Sequence, residues 1–204
     1  IHGGPFERDK FSLGLYDNEL LARGYNVLRV NFRNSSGFGK KLIKPKNTDY
    51  QRRVALDVIE SLHHTLDKMQ LLPEKAIAFG LSYGGLVVTD IGTSKDLHKA
   101  FDVLVAVNGT HNYCEFGNRL GFEIQREFTD CANPIVKQYF SKRDIYHKKP
   151  FVIAYGTDDL TVLPKHSKDL LSQLKKYPNV KGVSLENEPH TISIQVLSKL
   201  MADF

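Results

Sequence analysis

The segment Gly80-Leu81-Ser82-Tyr83-Gly84-Gly85 constrains this chain more than any other. It follows the apolar run Ala76 to Phe79 and precedes a second apolar run, Leu86 to Ile91, so it reads as a sharp turn between a strand and a helix. A serine at the tip of such a turn adopts a strained backbone, and any side chain two residues before or after it would collide with the adjoining strand or helix. Glycine at positions 80 and 84 removes that collision. Ser82 is thereby presented as a candidate nucleophile, although a tight turn with an incidental serine would carry the same letters.

The surrounding pattern places this turn in an α/β chain. Short apolar runs alternate with longer segments of helical period, as expected for a mostly parallel sheet with helices on both faces. The candidate strands are Tyr25 to Phe32, Ala76 to Phe79, Val103 to Val107, Phe151 to Tyr155 and Lys181 to Leu185. Val54, Val58, Ile59, Leu62, Leu66 and Met69 recur at three- and four-residue steps and mark an amphipathic helix that Pro73 cannot continue. Ser167 to Tyr177 and Thr191 to Phe204 are further helices. The stretch from Gly109 to His147 is less regular and reads either as an insertion shaping a substrate pocket or as a surface excursion.

With 204 residues the chain supports one large core, and residues 1–204 are read as a single domain. Its hydrophobic fraction of 41% and charged fraction of 25% are ordinary for a globular protein, which excludes fibrous and disordered classes. No apolar stretch reaches the roughly 18 residues of a membrane-spanning helix, and no membrane partner is expected. Ile1-His2-Gly3-Gly4 resembles the end of a strand entering a loop, so the domain is expected to be truncated at its N-terminal side.

The 28 basic and 23 acidic residues give a net charge of +5. The densest basic run, Lys40, Lys41, Lys44 and Lys46, lacks the aromatic or motif support of a nucleic-acid site and reads as solvated surface. Cys114 and Cys131 have no metal-ligand spacing and are expected as free thiols, which places the chain in the cytoplasm.

A serine hydroxyl needs a neutral imidazole to take its proton, and the imidazole needs a carboxylate to hold its tautomer. On the α/β-hydrolase fold these follow in the order serine, acid, histidine. Phe151 to Tyr155 runs into Gly156-Thr157-Asp158-Asp159, where either aspartate could be the acid. Alternation cannot choose between them, because adjacent side chains point apart. His190, between the last strand and the last helix, is the expected base. His63 and His64 fall inside a helix, and His166 is expected to be exposed at the start of another.

Taken together, Ile1-His2-Gly3-Gly4-Pro5, Asn31-Phe32-Arg33-Asn34-Ser35-Ser36-Gly37-Phe38-Gly39 and Gly80-Leu81-Ser82-Tyr83-Gly84-Gly85 resemble the catalytic domain of the prolyl oligopeptidase family of serine peptidases. That family includes acylaminoacyl-peptidases and dipeptidyl peptidases. Its acid motif, H-G-x-x-D-x-x-V, is similar to Tyr155-Gly156-Thr157-Asp158-Asp159-Leu160-Thr161-Val162, and this resemblance selects Asp159 over Asp158.

The resemblance implies a Ser82-Asp159-His190 triad, an oxyanion site from the His2-Gly3-Gly4 loop with the Tyr83 N–H, and short peptides as substrates. It implies no metal or organic cofactor, a propeller domain ahead of this one, and the possibility of an oligomer. Two other functions share the same residues: an esterase acting on small acyl esters, and an interaction domain that keeps the fold without turnover.

Overall fold

The computed structural model describes residues 1–39, 50–112, 114–115, 132, 134, 143–202 and 204. The basic run at 40–46 and most of the irregular stretch between 109 and 147 lie outside these residues.

Four strands form one parallel sheet among the described residues: β1 (Ile77–Leu81), β2 (Val103–Val107), β3 (Phe151–Gly156) and β4 (Val180–Leu185), in that spatial order. Parallel neighbours require crossovers, so helices must cover the sheet. Among the described residues they include α1 (Leu15–Ala22), α2 (Tyr50–Met69), α3 (Tyr83–Thr93), α4 (Lys165–Leu174) and α5 (Ile194–Met201).

The period of two along each strand divides the core. Leu104, Ala106, Phe151 and Ile153 face α2, α3 and α4 with Val54, Leu86, Ile91 and Leu170. Val103, Val105, Val107, Val152 and Ala154 face the other way, toward Leu197 and Met201 of α5 and toward Tyr16 and Leu20 of α1. Both faces are covered, which is why β2 reads as the unbroken apolar run Val-Leu-Val-Ala-Val. Each such aliphatic side chain withdrawn from water contributes about 1.5–3 kcal/mol. Residues 84 to 92 of α3 are buried, mostly apolar with the polar Thr89 and Asp90 among them.

Three expectations are corrected. Residues 25–32 alternate in burial but form no strand, since a strand needs a ladder partner and none is paired with them among the described residues. Side chains hold this segment instead: Asn31 Oδ1 accepts from Asp9 N at 2.8 Å and Asn31 Nδ2 donates to Asp9 O at 3.1 Å. Met69 continues the apolar stripe of α2 in sequence yet is 62% exposed, because the helix ends there and has run beyond the core. His166 is buried, since α4 turns His166, Ser167, Leu170 and Leu174 inward on one face.

A fourth correction concerns the thiols. Cys114 is disulfide-bonded, and the only other cysteine in the chain is Cys131, outside the described residues. Disulfide formation depends on approach in space, which sequence spacing does not report. Disulfides persist in oxidising compartments, so the cysteines no longer argue for the cytoplasm. Among the described residues no helix is long and apolar enough to cross a membrane.

Parallel pairing in register brings the carboxyl ends of the strands to one edge: Leu81 lies beside Val107, Val107 beside Ala154, and Gly156 beside Leu185. In open α/β sheets the crevice outside these ends is where ligands bind. Ser82, Asn108, Asp159 and His190 all sit in the loops along that edge.

Candidate active site

Ser82 joins β1 to α3 with φ 58 and ψ −120, a left-handed conformation that is costly for serine. The surroundings impose it. Ser82 N donates to Val107 O at 2.9 Å, while Ser82 O accepts from Gly85 N at 2.9 Å and from Thr110 N at 3.3 Å. The flanking glycines allow the close approach: a methyl at Gly80 would stand 2.2 Å from Gly84 O, and one at Gly84 would stand 2.1 Å from Ile1 O.

Tyr83 opens α3, where the helix directs its first N–H groups into the space ahead of it and concentrates positive potential there. Its hydroxyl donates to Gln51 Oε1 at 2.9 Å, which fixes the buried ring. The loop at His2, Gly3 and Gly4 lies beside the same turn. Ile1 O accepts from Leu81 N at 3.4 Å, and a methyl at Gly3 would sit 3.8 Å from Ser82 Oγ.

The His2 side chain serves this loop through contacts with Gly3, Ser35 and Phe32. Its Nδ1 lies 2.6 Å from Gly3 O, and a carbonyl can only accept, so Nδ1 carries the proton. Its Nε2 lies 3.0 Å from Ser35 Oγ, and the ring stacks on Phe32 at 4.3 Å. Burial pushes the His2 pKa below its ordinary value. The Asn31-to-Gly39 motif thus supports the His-Gly-Gly loop through Phe32 and Ser35.

Asp159 and Asp158 are separated sharply. Asp159 is 1% exposed; its Oδ1 accepts from Thr161 N and Val162 N, each at 2.8 Å, and its Oδ2 lies 2.8 Å from His190 Nδ1. Asp158 is exposed and its carboxylate accepts from Thr157 Oγ1 at 3.2 Å. A carboxylate only accepts, so His190 Nδ1 bears a proton, which in the neutral ring leaves the lone pair on Nε2. That is the tautomer a general base needs.

The loop between β4 and α5 presents His190. Asn187 takes φ 58 and donates its N–H to Thr157 Oγ1 at 2.8 Å, while Glu188 O accepts from Asp158 N at 3.1 Å. Glu188 also accepts from Ser193 N at 2.6 Å and from Ser193 Oγ at 2.7 Å, and Ser193 caps α5 by accepting from Val196 N at 3.4 Å. Among the described residues no hydrogen bond joins Ser82 Oγ to His190. Such contacts are commonly long in the absence of substrate and tighten when it binds.

Sequence reasoning missed Asn108 and the buried pair of Arg143 and Asp90. Arg143 Nη1 meets Asp90 Oδ1 at 2.8 Å, with side chains 2% and 1% exposed, and Arg143 Nη2 donates to His111 O at 3.2 Å. Arg143 lies in a stretch without periodicity, where nothing in the letters signalled a partner on α3.

A parallel sheet with helices on both faces and a serine at a strand-to-helix elbow define an α/β-hydrolase. The prolyl oligopeptidase family model matches residues 12–195, and the chain belongs to that family of serine peptidases. It is 28% identical over 209 residues to dipeptidyl aminopeptidase BIII of Pseudoxanthomonas mexicana, an alignment covering 93% of this chain and 29% of that protein. It is 36% identical over 85 residues to dipeptidyl peptidase family member 6 of Caenorhabditis elegans, covering 42% of this chain and 12% of that one. Among solved structures it is similar in fold to Pyrococcus horikoshii acylaminoacyl peptidase, with TM-score 0.78 at 20% identity over 95% of this chain and 33% of that chain. The chain therefore spans about a third or less of the length of these relatives.

Proposed function

We propose that this chain is the catalytic part of a serine peptidase that hydrolyses short peptides, with Ser82 as nucleophile, His190 as base and Asp159 as the group orienting it. The observation that carries this is the 2.8 Å contact between His190 Nδ1 and the buried Asp159 Oδ2, at the same sheet edge as the strained Ser82.

In this mechanism Ser82 Oγ attacks the scissile carbonyl carbon as His190 Nε2 takes the hydroxyl proton. The Tyr83 N–H and the His2-Gly3-Gly4 loop donate to the oxyanion, each donor being worth about 3 kcal/mol in the transition state. Collapse of the tetrahedral intermediate breaks the C–N bond, and His190 returns the proton to the departing amine. Water then attacks the acyl-enzyme with the same proton relay and releases the free acid.

The peptide substrate is supported by membership of the family, and the small share of the relatives' length that this chain spans supports further domains in the whole protein, such as a propeller. The test is to compare turnover of aminoacyl amides with turnover of simple esters by the full-length protein. Amide hydrolysis is expected; hydrolysis of esters alone would replace the peptidase with an esterase.

A further inference from the structure

Asn108 follows β2 directly and is 1% exposed, with φ 47, a conformation asparagine tolerates better than most residues. Its neighbours hold the elbow: Val107 O accepts from Ser82 N, and Asn108 N donates to Ala154 O at 2.9 Å. Its side chain reaches the two other loops at the edge. Oδ1 accepts from Gly156 N at 2.7 Å, at the base of the loop that carries Asp159. Nδ2 donates to Pro189 O at 3.1 Å and to His190 O at 2.8 Å.

One buried amide therefore uses its acceptor on the acid loop and both donors on the base loop, from a position hydrogen-bonded through its own strand to the nucleophile's turn. Only asparagine or glutamine offers one acceptor together with two donors, and glutamine would add a methylene to a closed space. We propose that Asn108 is a positioning residue, fixing the backbone of His190 against the Asp159 loop so that the imidazole meets the carboxylate and the serine together. This inference rests on the triad assigned above. Misplacing a reacting group by about 1 Å can cost on the order of 100-fold in rate.

The test uses Asn108→Gly, which keeps the positive φ without strain, and Asn108→Asp, which keeps the acceptor for Gly156 N but turns an oxygen toward two carbonyls. Both are measured in the full-length protein against an aminoacyl amide. We expect kcat to fall roughly 10- to 100-fold with KM changed far less. In Asn108→Gly the acid limb of the pH profile should move to lower pH as His190 loses its aligned carboxylate, and in both variants the strongly deshielded Nδ1 proton resonance of His190 should weaken. Wild-type kcat per folded molecule with an unmoved acid limb would overturn the proposal, as would failure of both variants to fold, which would assign Asn108 to stability alone. Ser82→Ala in the same assay separates the two ideas: retained turnover there sinks the triad, whatever Asn108 does.

Discussion

His190 Nδ1 lies 2.8 Å from Asp159 Oδ2, a contact made between the loop after β4 and the loop after β3, 31 residues apart in the chain. The same carboxylate takes two backbone N–H groups on its other oxygen, so it is already aligned before any imidazolium forms. A group held in this way stabilises charge on the histidine without reorganising.

Asp159→Asn should lower kcat by about 10⁴-fold, because an amide facing Nδ1 favours the wrong tautomer. Asp158→Asn should leave kcat near wild type, since Asp158 is exposed and bonded to Thr157. Steady-state turnover of the two variants side by side checks the assignment; equal losses would contradict it.

Asp90→Ala removes the carboxylate opposite Arg143 in a buried pair and should destabilise the fold by about 3–5 kcal/mol. Chemical denaturation of the variant measures this. A change under 1 kcal/mol would mean the guanidinium gains solvent in the native state.

Acid should weaken the fold through two histidines. Burial pushes the pKa of His111 well below its ordinary value, with Arg143 and His166 adding in the same direction, and burial also lowers that of His2. As pH drops below about 6.5, the unfolded chain therefore binds protons that the native state refuses. Stability is full above that value and is lost as pH falls through the folded pKa values. Thermal unfolding against pH should show this loss, and His111→Asn should flatten it while keeping an N–H toward Thr89, which lies 3.0 Å from His111 Nδ1.

Gly80→Ala should cost about 1–3 kcal/mol or more, because its methyl would meet Gly84 O at 2.2 Å and only backbone movement can relieve that contact. Unfolding by denaturant and soluble yield both report it.

The parts legible in the sequence are those that local rules govern. Val103 to Val107 was readable as a buried strand because both of its faces are covered, and the elbow at Ser82 because its glycines answer a steric need. Residues 25–32 carried the alternation of a strand, but a strand is made by its neighbour, which the letters do not contain. The two aspartates were indistinguishable by alternation; only the resemblance favoured Asp159, and what distinguishes it physically is a turn that buries it against the Thr161 and Val162 N–H groups. Asn108 carried no motif at all, since its role arises from three loops meeting in space. Cys114 shows the same limit, its bonding being set by tertiary approach.

The most direct measurement is labelling of the full-length protein with a fluorophosphonate, followed by mapping of the modified peptide by mass spectrometry. A single adduct on Ser82, absent in Ser82→Ala and slowed by orders of magnitude in His190→Ala, is the predicted result. An adduct on another serine, or none on a folded wild-type protein, would contradict the nucleophile assignment.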